Sequence, residues 1–183
     1  MVFPERRPNG FTLVELLLAA ALGALLFLMA LQLLLGEARH GGDLARHLLL
    51  RRLQQRTLQL IKADLATASF WRLEPAAESA WPCPMAGRRP LIAINPRHGI
   101  SPVIYSLGPA PSAIWHGSVL MRCGPAFDLQ GRTRAGSSYQ NRVVLDAVDA
   151  LMIDQSPGLP VLRLQLRQRI PGREQMVVSS AVG

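Results

Sequence analysis

The chain has 183 residues, 49% of them apolar, only 17% charged and 5% aromatic, with a mean hydropathy of +0.19. That is too apolar for a disordered tail and too short for a large multidomain enzyme. Its formal charge of +8 comes from 20 basic against 12 acidic residues, and Lys62 is the one lysine; this balance permits acidic partners such as nucleic acid or anionic lipid without specifying a fold.

The hydrophobicity is concentrated near the start. A ten-residue polar leader, MVFPERRPNG, gives way at Phe11 to an apolar run that carries no charge from Leu16 to Gly36. At about 1.5 Å per residue a helix of that length covers roughly 30 Å, the hydrocarbon thickness of a bilayer. One membrane pass is expected, and Arg6 and Arg7 ahead of it favour a cytoplasmic N-terminus with everything after Gly36 exported. A cleaved secretory signal is the competing reading, with Gly36-Glu37-Ala38 as its cleavage site, but the apolar core is too long for one.

Within the run stands one acid, Glu15. A carboxylate in a membrane helix costs up to about 3 kcal/mol on insertion scales and usually has a partner. Cleavage after Gly10 would create an amine on Phe11, one helical turn from Glu15 and able to neutralise it within a chain or between neighbours. The string Gly10-Phe11-Thr12-Leu13-Val14-Glu15, followed by about twenty apolar residues, resembles the leader junction of type IV pilins and type II secretion pseudopilins. The resemblance implies that a prepilin peptidase cuts after Gly10 and N-methylates Phe11. It further implies that Glu15 pairs with the N-terminus of an adjacent subunit, and that other pilin or pseudopilin subunits and the inner membrane are the partners.

Residues 1–10 are accordingly expected to be a cleaved leader, 11–36 the membrane and filament-core helix, 37–71 an amphipathic helix half and 72–183 a globular head. In the helix half, Leu50, Leu53, Thr57, Leu58, Leu60, Ile61, Leu65 and Ala68 fall on one side, opposite Arg51, Arg52, Gln55, Arg56, Gln59 and Lys62. Gly41-Gly42 marks a bend, or a loop between two helices. Asp64 lies toward the apolar side and reads as a cap or acceptor for nearby backbone; its surroundings, Ile61 to Ala68, resemble the helix end of larger minor pilins and the J-type minor pseudopilin.

The head reads as strands over 91–95, 101–107, 114–123, 142–153, 161–170 and 175–182, with turns at Ser156-Pro-Gly158 and Pro171-Gly172. One long helix followed by an antiparallel meander predicts an α+β, pilin-like fold with the helix covering a sheet face. Cys83 and Cys123, 40 residues apart on the exported side, fit a structural disulfide better than a redox or zinc motif. Along 161–170, Leu162, Leu164, Leu166 and Ile170 alternate with Arg163, Gln165, Arg167 and Arg169. The arginines form either a solvated face or a basic stripe that could engage successive DNA phosphates. No aromatic residue interleaves with them as a stacking platform would need.

His40, His47, His98 and His116 are scattered, and no nucleotide-binding or hydrolase motif occurs. Asp149 and Asp154 lack an oxygen-rich loop between them and fit strand or turn positions better than a cation site. Neither catalysis, a metal nor a cofactor is expected. The expected role is a minor pilin of a type IV pilus, supporting assembly and adhesion, motility or DNA uptake. The alternatives are a J-like pseudopilin near a secretion pseudopilus tip and, in another class, a membrane-tethered DNA receptor.

Overall fold

In the computed structural model, residues 12–76, 81–97, 101–127, 137–170 and 176–183 are described. The expected leader with Gly10, and Phe11 after it, lie outside them, as do Pro171 and Gly172. The chain divides into two compact units, Met1–Arg46 and His47–Gly183.

Helix α1 runs Leu13–Ala66, and helical backbone continues through Gly41 and Gly42, so no loop separates its two halves. It ends five residues before the expected Trp71. The Thr67 amide and hydroxyl both bond back to the Asp64 carbonyl, at 3.2 and 2.8 Å, closing the last turn without glycine or proline. Residues Ala68–Leu73 then form β1, which pairs antiparallel with β2 (Arg89–Pro96). With β3 (Val103–Pro109), β4 (Ser118–Pro125) and β5 (Tyr139–Leu145), these strands form a five-stranded antiparallel meander. A second, three-stranded meander follows from β6 (Val148–Gln155), β7 (Leu162–Arg169) and β8 (Met176–Val182).

The expected single strand over 142–153 is therefore two strands in different sheets. Ala147 breaks it, with a left-handed φ of 51°. Its amide donates to the His116 carbonyl at 2.7 Å, and its carbonyl accepts from the Arg169 amide at 2.8 Å. These long-range bonds offset the cost of a conformation that alanine ordinarily avoids.

In the second unit, Leu58 and Ile61 of α1 share one core with both sheets. Ile92, Ile94, Val103, Tyr105 and Leu120 come from the larger sheet, and Leu151, Leu162, Leu164 and Leu166 from the smaller. The buried stripe of the helix runs through Gln54, Thr57, Leu58, Ile61 and Asp64. It is displaced from the apolar side read off the sequence: Leu53 is 40% exposed while Gln54 is fully buried. Gln54 is accommodated because its amide donates to the Val177 carbonyl at 2.9 Å and accepts from the Ser179 hydroxyl at 2.6 Å, tying α1 to β8.

On the opposite face of the larger sheet, Ala93, Ile104 and Cys123 pack with Trp81 and Cys83 from the β1–β2 connection. Cys83 and Cys123 form a disulfide across a 40-residue separation. Closing a loop of that length contributes about 4 kcal/mol by the chain-entropy estimate. Replacing both cysteines by serine is thus expected to lower the chain's stability by roughly 3–4 kcal/mol in chemical denaturation, with little change if the bridge constrains only locally ordered chain.

Candidate functional site

The first unit presents a capped apolar helix. Thr12 and Glu15 form a reciprocal pair at its start: the Glu15 amide donates to Thr12 Oγ1 at 3.3 Å, and the Thr12 amide donates to Glu15 Oε2 at 3.0 Å. The Thr12 hydroxyl adds a bond of 2.9 Å to the same Oε2. This is a capping box, in which threonine and glutamate three residues apart satisfy each other's orphan amides. The spacing Thr12-x-x-Glu15 is legible in the sequence, whereas the acid's position in the apolar run points only to an amine partner. Both Thr12 donors land on Oε2, and among the described residues Oε1 accepts no bond.

Behind this cap, Leu13–Gly36 is long and apolar enough to cross a membrane, alone in this among the described helices. Every side chain from Thr12 to Leu35 is exposed. Exposed leucine and phenylalanine over that length are stable only in lipid or against other apolar helices.

The second unit contains a buried charge cluster. Asp64, in the last turn of α1, is 7% exposed and sits where the helix dipole disfavours an anion. Arg122 of β4, 3% exposed, meets it with two bonds, Nε to Oδ2 at 2.8 Å and Nη2 to Oδ1 at 2.9 Å. Tyr105, opposite Arg122 in the β3–β4 register, donates its hydroxyl to Oδ2 at 2.7 Å. The guanidinium is completed by a bond from Nη1 to the Pro125 carbonyl and by stacking on Phe127, 4.6 Å from the ring centroid. Gly124 makes room for it, because a Cβ there would stand 2.5 Å from Nη1. Asp64 is thus an acceptor, as its sequence context indicated, but its side chain's partners lie 41 and 58 residues away rather than in nearby backbone.

Burial, reinforced by the Asp64 charge, holds the Tyr105 hydroxyl protonated well above the ordinary value of 10.0. Burial alone would lower the Arg122 value, but the hydrogen bonds and charge of Asp64 override it and raise the net value. Burial also raises Tyr139. Because a tyrosine raised in the folded state ionises first when unfolded, stability from Tyr105 is fully present below about pH 10 and is lost as pH climbs toward the folded value. In a phenolate absorbance titration the folded chain should ionise both of its tyrosines late, with denaturant restoring an ordinary curve. An ordinary curve for the folded chain would contradict the buried placement.

The arginine stripe is present on β7 as the alternation predicted, with Leu162, Leu164 and Leu166 buried and Arg163 and Arg169 exposed. Its charge is partly neutralised. Asp149 on β6 stands 3.4 Å from Arg167 and 3.5 Å from Arg169, and Asp154 is the register partner of Arg163. His116 lies 3.5 Å from Asp146 on an exposed turn. Among the described residues no three histidine, cysteine or acidic side chains gather as a metal site would require.

Residues 6–31 match the family model for the prokaryotic N-terminal methylation motif. No curated protein and no solved structure matches the chain. The motif implies processing by a prepilin peptidase and assembly with other pilin subunits, and with the apolar helix that begins within it the chain fits a membrane-anchored subunit. The matched segment takes in the start of the membrane-length helix, and an α+β head of antiparallel sheets follows it, so the N-terminal segment of the chain is that of type IV pilins and pseudopilins.

Proposed function

We propose that this chain is a minor pilin, cut after Gly10, methylated on Phe11 and built into a type IV pilus through its apolar helix. The observation that carries the reading is the capped, fully exposed helix that begins within the processing motif. In the membrane the N-terminus is cytoplasmic, with Arg6 and Arg7 before the span, and the disulfide-bonded head is periplasmic. The capping box holds the Glu15 carboxylate at the helix start with Oε1 open, and the Phe11 amine of a neighbouring subunit supplies the counter-charge there.

A minor role is favoured by the basic, two-sheet head and by a bridge that ties the start of the head to its middle. A J-like secretion pseudopilin is the second reading, favoured by the run around Asp64 at the helix end. DNA retention through Arg163, Arg167 and Arg169 gains less support, since Asp149 draws on two of the three charges. Surface filaments counted by electron microscopy in a strain lacking the chain, beside the restored strain, test the proposal. Loss or a steep drop is expected; normal numbers with impaired secretion would transfer the chain to the pseudopilus.

A further inference from the structure

Alongside β5, an open groove of about 650 Å³ runs between that strand and the second half of α1. Three consecutive residues, Arg142, Val143 and Val144, line it. Successive strand residues point to opposite faces, so the groove follows the edge of the strand rather than one face of the sheet. Among the described residues no strand pairs with the far side of β5. An edge of this kind offers backbone donors and acceptors to an extended chain.

The lining combines two chemistries. Leu53, Leu60 and Val144 give it an apolar wall, and Leu53 is 40% exposed. Arg56, Arg122 and Arg142 give it positive charge, and among the described residues no acidic side chain lines it. The Arg122 charge is already matched by Asp64. Arg142 instead bonds the neutral Gln140 Oε1, and Arg56 makes no ion pair among the described residues. An uncharged apolar occupant would cover two unmatched guanidinium groups, which is costly, and a merely acidic one would leave the leucines wet.

We propose that this groove receives an extended segment of a neighbouring filament subunit that is apolar and carries a carboxylate opposite Arg56 and Arg142. The proposal rests on the filament reading above and specifies the partner's chemistry at one surface. Its test uses the full-length chain in its own cells with the photoreactive residue benzoylphenylalanine replacing Leu60, followed by mass spectrometry of the adduct. The expected adduct joins Leu60's position to another pilin-family subunit within a few residues of an aspartate or glutamate.

Arg56→Glu with Arg142→Glu should cut the adduct roughly tenfold or more, as loss of about 1.4 kcal/mol would do, and changing the mapped acid to lysine should restore it. Arg56→Gln with Arg142→Gln should give an intermediate loss. A retained Cys83–Cys123 bridge and an unchanged melting temperature show that these exposed positions leave the fold intact. An adduct with lipid, with this chain's own residues or with a segment lacking an acid would overturn the proposal. So would a yield indifferent to charge reversal, or no adduct. Sheared filaments from the same cells separate the two readings. A chain present in filaments without the acidic adduct sinks the groove proposal alone, whereas a charge-rescued adduct in cells whose filaments lack the chain sinks the filament reading.

Discussion

Replacing Arg122 by leucine is expected to destabilise the head by about 3–5 kcal/mol, the usual result of leaving one member of a buried ion pair without its partner. For a unit of this size that corresponds to a fall in melting temperature of roughly 10 °C or more, measurable by near-ultraviolet circular dichroism of the full chain in detergent. The reason is local. Asp64 stays buried at the unfavourable end of α1, and Tyr105 alone cannot replace the two bonds from the guanidinium. Asp64→Asn should cost less, because a neutral amide needs no counter-charge, although Arg122 then becomes the unmatched group. Joining Asp64→Leu to Arg122→Met should recover much of the loss, since apolar replacements for a buried pair are often neutral or stabilising. A single Arg122→Leu effect below about 1 kcal/mol would mean that the cluster is not desolvated as its geometry indicates.

Changing Glu15 to leucine is expected to leave leader cleavage largely intact while reducing incorporation into filaments about tenfold or more, equivalent to a loss of roughly 1.4 kcal/mol per subunit joined. The capping box adds a contrast. Glu15→Gln retains an oxygen that can accept from Thr12, so it should keep the helix cap while losing the charge that attracts an amine. If glutamine and leucine are equally defective, charge pairing governs assembly. If glutamine is normal, the cap is what matters and the pairing with Phe11 is refuted. Quantitative immunoblotting of sheared surface fractions against whole membranes reads both variants.

Much of this architecture is legible before any coordinates. The apolar run from Leu13 to Gly36 announces its helix by length alone, and the β7 alternation places its leucines inward because period two leaves one choice of face. Elsewhere the deciding interactions are distant in sequence. Phe70 and Trp71 continue an apparently helical pattern, and α1 gives way at Thr67 with no glycine or proline to announce it. Ala147 is a good helix former placed in a left-handed turn, held by the His116 carbonyl and the Arg169 amide. The buried stripe of α1 carries Gln54, Thr57 and Asp64, so hydrophobic periodicity rotates it toward Leu53. Bonds to β8 explain Gln54 and the Arg122–Tyr105 pair explains Asp64, while the Thr57 hydroxyl donates to the Leu53 carbonyl one turn back. At the N-terminus, Glu15 was identifiable from its context, whereas the cap formed with Thr12 required attention to a spacing of three residues.

The most direct test of the filament assignment is the identity of the N-terminus on chain recovered from sheared surface filaments, read by mass spectrometry of its first proteolytic peptide. A peptide beginning at N-methylated Phe11, found in the filament fraction, is the expected result. A chain that retains Met1 through Gly10, or that begins after Ala38 and is missing from filaments, would contradict it.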